Sequence, residues 1–182
     1  MTRIEPTTIE NAPESTKATL EGIQQQLGKV PNLLATLGKS PAALNSYVNQ
    51  KKALATGVLG DKIGESLALA IANFSKCGYC VSAHNVIGRM VGLSEEEREL
   101  NRKGASSDPK TQSAIDLARA IVAGRGFIDD SAFENAKSQL SEEEVLEVIT
   151  ITTFNLFTNY MNHALETQID FPEVELHESV AV

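Results

Sequence analysis

The sequence predicts an all-α protein, a compact helical domain, and three observations carry that expectation. Helix-start signatures recur along the whole chain. Between them the apolar residues repeat at three- and four-residue intervals rather than alternating. Aromatic residues make up only 5% with no Trp, while Ala, Leu, Ile and Val abound, a mixture that suits closely packed helices better than a β-sandwich. At 182 residues the chain fits one domain with a core large enough to need no disulfide staples.

Residues 1–13, which include Pro6 and Pro13, read as a loosely held arm. Helices are expected near 15–28, 32–37, 41–56, 61–75, 78–91, 94–103, 109–123, 131–139 and 142–167. Ser40-Pro41 sets a capping hydroxyl before a proline at the first helical position, and Asp108-Pro109 repeats the device. Three Ser-x-x-Glu capping boxes are expected, at Ser94 with Glu97, Ser131 with Glu134, and Ser141 with Glu144. Stops fall at Gly57 and Gly60, at Gly104, and at Gly124 and Gly126. The β-branched run Val148–Thr153 is the best argument for a strand, but it lies inside a capped segment of helical length, so a buried helix is expected there. The phrase Leu-Ser-Glu-Glu-Glu at Leu93 and Leu140 is a repeated capping signature rather than a duplication.

Composition narrows function. A formal charge of −8 repels nucleic acid and anionic membranes, and no basic patch interleaves with aromatics. The first residues lack a signal-peptide apolar run, and Leu67–Ala72 is far too short to span a bilayer, so a cytoplasmic protein is expected. The two cysteines lie close together. In a reducing compartment such a pair reads as catalytic or metal-binding.

The chemistry concentrates between Glu65 and His84. On a helix, Cys77, Cys80 and His84 fall within about 60° of one another. His84 lies one turn beyond Cys80. Cys77 stands at the helix start, where free N–H groups and the macrodipole favour a thiolate, and Lys76 adds positive charge. Glu65 opens an apolar helix, so desolvation is expected to raise its proton affinity. A turn at 75–78 with antiparallel helices on either side sets Glu65 about 15 Å and His84 about 9 Å from the turn, close enough for contact directly or through one water. Glu65 and His84 would then relay a proton from Cys80.

Glu65, eleven intervening residues, and Cys77-x-x-Cys80-x-x-x-His84 resemble the alkyl hydroperoxidase D-like branch of the carboxymuconolactone decarboxylase superfamily, in particular its single-chain peroxidase-related members. The likeness extends through Val30–Leu34 and from Asn159–Asn162 to Asp170-Phe171-Pro172, covering most of 28–172. It implies an all-α homo-oligomer, commonly a trimer or hexamer, that reduces hydroperoxides. By that likeness Cys80 attacks peroxide and becomes a sulfenic acid, Cys77 condenses with it, and Glu65 and His84 shuttle the proton. An external dithiol, a lipoyl group or a thioredoxin-like protein, restores the thiols; no bound cofactor or metal is implied. Relatives often carry histidine where this chain has Tyr79, which cannot switch charge near neutral pH.

Other readings stand beside this one. The cysteines could be inert core residues. Cys77, Cys80, His84 and Glu65 could ligate a zinc in a non-catalytic helical assembly. A lactone decarboxylase-like enzyme would work by acid–base chemistry without the sulfurs. Asn155, Asn159 and Asn162 share a helical face and read first as satisfied interhelical hydrogen bonding, secondarily as pocket lining or a subunit contact. His163 and His177 read as structural.

Overall fold

The computed structural model describes residues 2–177. Among them the regular structure is entirely helical, as the spacing predicted: α1 Glu14–Leu27, α2 Asn32–Leu37, α3 Pro41–Leu54, α4 Gly60–Phe74, α5 Gly78–Met90, α6 Glu95–Arg102, α7 Pro109–Ala123, α8 Asp130–Lys137 and α9 Glu142–Leu165.

Capping chemistry explains most boundaries. Ser40 accepts a hydrogen bond from the Ala43 N–H and Asp108 from the Thr111 N–H, each ahead of a proline that opens the helix. Ser141 and Glu144 form a complete reciprocal box at α9. The other two boxes differ from expectation. Ser94 caps α6, but the Glu97 carboxylate turns to the hydroxyls of Ser106 and Ser107 instead of reaching back. At α8 the cap is Asp129, which accepts from Ala132 N–H, and Ser131 donates to that same carboxylate. A carboxylate there outcompetes the hydroxyl because it is the stronger acceptor.

α4 organises the fold. Residues Glu65 to Asn73 are buried without a break, and the helix packs against α5, α6, α7 and α9. Its Leu67 and Ile71 enter one apolar cluster with Ile115, Leu117 and Ile121 of α7 and Val148 of α9. Ala72, near its C-terminal end, joins a second cluster with Leu20, Leu34 and Leu44 from α1 to α3 and with Cys77, Cys80 and Val81 of α5. α4 thus wedges between two cores, and the cysteines belong to the second.

The β-branched run in α9 is helical. Val148, Ile151 and Thr152 face inward, while Thr150 and Thr153 face solvent. Thr152 donates to the Val148 carbonyl at 2.7 Å and Thr150 to Leu146 at 2.8 Å, so the hydroxyls are satisfied inside the helix.

Both ends of the described chain are tied down. The segment expected as a loose arm bonds through Arg3 N–H to the Leu165 carbonyl at 2.8 Å and buries Ala12. After α9, residues 168–177 cross the start of α5 as a strap. Asp170 accepts from the first N–H of α2, at Asn32, and pairs with Lys29 at 2.9 Å. Phe171 sets its edge on Tyr79 at 5.7 Å, and Val174 N–H donates to buried Ser82. His177 exchanges two backbone bonds with the Asn73 carboxamide, and its imidazole meets Glu99 at 3.0 Å. His163 is exposed in the last turn of α9.

Candidate active site

α4 and α5 form the expected antiparallel hairpin. Its turn is tight: Lys76 adopts φ 55°, and Cys77 N–H reaches back to the Ala72 carbonyl at 2.8 Å. This left-handed corner delivers Cys77 to the N-cap of α5, where its sulfur accepts from Cys80 N–H at 3.3 Å. Cys77 and Cys80 are joined as a disulfide with Cα atoms 5.3 Å apart. Each cysteine is only 3% exposed.

Across the hairpin, Glu65 Oε2 lies 2.7 Å from His84 Nδ1. The direct contact matches the depths reckoned along the two helices. His84 remains partly exposed, whereas Glu65 is 4% exposed. The other carboxylate oxygen, Oε1, accepts from Lys51 Nζ of α3 at 3.3 Å. Burial pushes the Glu65 proton affinity up, as expected, and is the largest single influence. His84 and Lys51 together outweigh it and hold the carboxyl below its usual range. The expected rise is therefore reversed: the His84 contact was foreseen without its effect on the carboxyl, and Lys51, which the sequence does not reveal, adds to it. Nearby Tyr47 of α3 is pushed up to about 12 by burial and by the Glu65 charge, so its hydroxyl stays protonated.

A cavity of about 70 Å³ opens onto the pair. Glu65, His84, Lys51, Asn155, Phe154 and Ile151 line it, and Glu147 fixes its mouth by accepting from Val58 and Leu59 N–H at 2.8 and 2.9 Å. The space admits a few water-sized groups. The sulfurs are not part of the lining; Cys80 precedes His84 by about one turn of α5 and Cys77 by about two. Asn162 Nδ2 of α9 lies 3.2 Å from Cys80 Sγ.

All four expected residues thus converge on one hairpin, Glu65 touching His84 and Cys77 joined to Cys80. Tyr79 points away from the pair. Its hydroxyl accepts from Leu33 N–H at 3.2 Å, and burial drives its pKa far above the usual phenol value. Lys51 carries no motif and was invisible in the sequence. The contact of Asn162 was half visible, as one member of a polar stripe. Among the described residues no group of three or more His, Cys, Asp or Glu side chains is placed to hold a metal; Glu65 and His84 are turned to one another.

This helical fold is the fold of alkylhydroperoxidase-core proteins. A peroxidase-related protein from Ralstonia eutropha, described as an alkylhydroperoxidase core, superposes with a TM-score of 0.84 at 20% identity, over 93% of this chain and 92% of its own. A peroxidase-related protein from Silicibacter sp. gives 0.80 at 23% identity over 92% and 94%. A debrominase crystallised with 2,3,4-tribromopyrrole gives 0.80 at 22% identity over 93% and 92%. No protein-family model and no curated protein matches the chain. Among the described residues no helix is long and apolar enough to cross a membrane.

Proposed function

We propose that the chain is a thiol-dependent peroxidase that reduces hydroperoxides through Cys77 and Cys80. The observation that carries this reading is the Glu65–His84 contact at 2.7 Å, one helical turn from the Cys80 end of a buried disulfide. A carboxylate on Nδ1 holds the imidazole proton there and leaves Nε2 as a base. In the reduced protein His84 takes the Cys80 proton. The thiolate attacks the terminal oxygen of the hydroperoxide, the O–O bond breaks, and the departing alkoxide takes the proton from the imidazolium. Cys80 is then a sulfenic acid. The Cys77 thiolate, favoured by the α5 N-terminus, attacks that sulfur and expels hydroxide, which leaves as water on protonation. Two electrons from an external dithiol, of the lipoyl or thioredoxin-like kind, reopen the disulfide.

The debrominase of like fold makes an organobromide the natural second electrophile to test. The resemblance in sequence also carries a homo-oligomer, a trimer or hexamer, which native mass spectrometry tests. A lactone decarboxylase-like enzyme would keep its activity in the Cys77→Ser, Cys80→Ser double variant; the peroxidase reading requires that activity to vanish.

The deciding experiment is intact-mass analysis of the reduced protein after one equivalent of hydroperoxide. The wild type is expected to lose two hydrogens, and Cys77→Ser to gain one oxygen on Cys80. Unchanged masses in both, with the thiols still titratable, would defeat the reading.

A further inference from the structure

Asn162 is buried, at 5% exposure, and its Nδ2 meets the Cys80 sulfur at 3.2 Å. Its Oδ1 has no hydrogen-bond partner among the described residues. Asn159 Oδ1 is likewise without a partner among the described residues, but the N–H groups of the two carboxamides that share the face of Asn162 go elsewhere. Asn155 donates to the Ile151 carbonyl at 2.9 Å and Asn159 to the Ile71 carbonyl at 3.5 Å. One of three buried carboxamides is therefore aimed at sulfur while its neighbours take backbone oxygens. A neutral sulfur is a weak acceptor, so a buried N–H gains little from it. A thiolate is a strong one, and hydrogen bonds to charged groups are worth roughly twice those between neutral partners.

The two sulfurs are also served by different donors. Cys77 receives the Cys80 backbone N–H at the helix head, and Cys80 receives a side chain from α9. We propose that Asn162 is a catalytic residue whose carboxamide N–H stabilises the Cys80 thiolate before and during its attack on peroxide. The inference rests on Cys80 being the attacking sulfur. Asn162 gives up no atom in the step. The thiol proton passes to His84, the sulfur electron pair forms the S–O bond, and the alkoxide leaves with the imidazolium proton.

The charged and titratable groups around this end of α5 are Lys76, Cys77, Tyr79 and His84 on its own segment, Glu65 from α4 with its partner Lys51, and Asp170 from the strap with its partner Lys29. Arg98 of α6 is bound to Asn85, beyond His84. α9 contributes the carboxamides. Asn162 is thus the side-chain donor whose removal changes the thiolate without touching the relay.

The test titrates the Cys80 thiolate by its ultraviolet absorbance in Cys77→Ser protein. Asn162→Leu is expected to raise the midpoint by about one pK unit, and Asn162→Asp by more because it adds a like charge. Asn159→Leu, which removes a carboxamide facing a carbonyl, is expected to leave the midpoint in place. At a pH below the midpoint, sulfenic acid formation in Asn162→Leu falls roughly tenfold. A folded Asn162→Leu protein with an unmoved midpoint, or an equal rise in Asn159→Leu, overturns the proposal. A measurement that needs no change at Asn162 stands beside it: the side-chain amide resonances of Asn162 are expected to move with pH at the thiolate midpoint, and invariance also overturns the proposal. Failure of Cys80 to form a sulfenic acid when Asn162 is intact would instead defeat the peroxidase reading.

Discussion

Glu65 and His84 meet across the α4–α5 hairpin, carboxylate Oε2 to imidazole Nδ1 at 2.7 Å, with the carboxylate buried and the imidazole reaching the cavity. A buried carboxylate is costly unless paired, and this one is paired twice. The arrangement orients the imidazole and keeps a negative charge behind it.

Glu65→Gln keeps the shape and a hydrogen-bonding oxygen but removes that charge. The peroxide-dependent rate at neutral pH is expected to fall roughly a hundredfold, within the range for loss of general acid–base assistance. The Cys80 thiolate should titrate at higher pH in the same variant. Stopped-flow oxidation of the reduced protein measures the first and ultraviolet titration the second. A full rate with an unmoved thiolate would remove Glu65 from the relay.

Stability should carry the same signature in acid. Glu65 titrates lower in the folded protein than its ordinary value of 4.5, so the folded state binds its proton more weakly than the unfolded state. The stabilisation is fully present above about 4.5 and fades as pH falls through the folded value. Melting temperatures of wild type and Glu65→Gln are therefore expected to differ most near neutrality and to converge in acid. Other carboxylates with lowered affinity, such as Glu97 and Asp108, are common to both proteins and cancel in the difference. A gap that widened on acidification would reverse the sign assigned here.

Lys51 supplies a separable part of this effect. Its ammonium lies 3.3 Å from Glu65 Oε1 but is half exposed, so its influence is screened. Lys51→Met should let the Glu65 affinity rise and move the acid limb of the pH–rate profile upward by less than about one unit. In the wild type, added salt should move the limb the same way. A downward shift, or none at low salt, would mean that the ammonium does not govern the carboxylate.

Much of this site was legible because its parts lie on two adjoining helices. Four-residue spacing fixes His84 relative to Cys80, and the rise per residue fixes the depth of Glu65 across the turn. Helix boundaries were legible for a related reason, since Ser40, Asp108 and Ser141 act on N–H groups three residues away. What was hidden is tertiary. Lys51 comes from α3 and Asn162 from α9, and neither position has a local pattern that points at sulfur or carboxylate. The direction of the Glu65 shift failed for two reasons: desolvation was weighed without the His84 contact that the same hairpin predicted, and Lys51 arrives from α3 with no local pattern to announce it. The Ser131 box failed more locally, because Asp129 two residues earlier was the better cap.

Tyr79 offers the sharpest contrast between a site residue and a neighbour of the site. It stands between the two cysteines, yet its hydroxyl accepts from Leu33 N–H at the start of α2 and its ring meets Phe171 of the strap. Burial keeps the phenol protonated, so it offers no charge change at neutral pH. Tyr79→Phe is expected to leave the Leu33 N–H without its acceptor and to cost about 1–3 kcal/mol of stability. The pH–rate profile should keep its shape, because the relay is untouched. Denaturant unfolding reads the first effect and steady-state peroxide consumption the second. A folded Tyr79→Phe protein with a displaced pH optimum would mean that the phenol takes part in proton transfer, and the relay would then extend beyond Glu65 and His84.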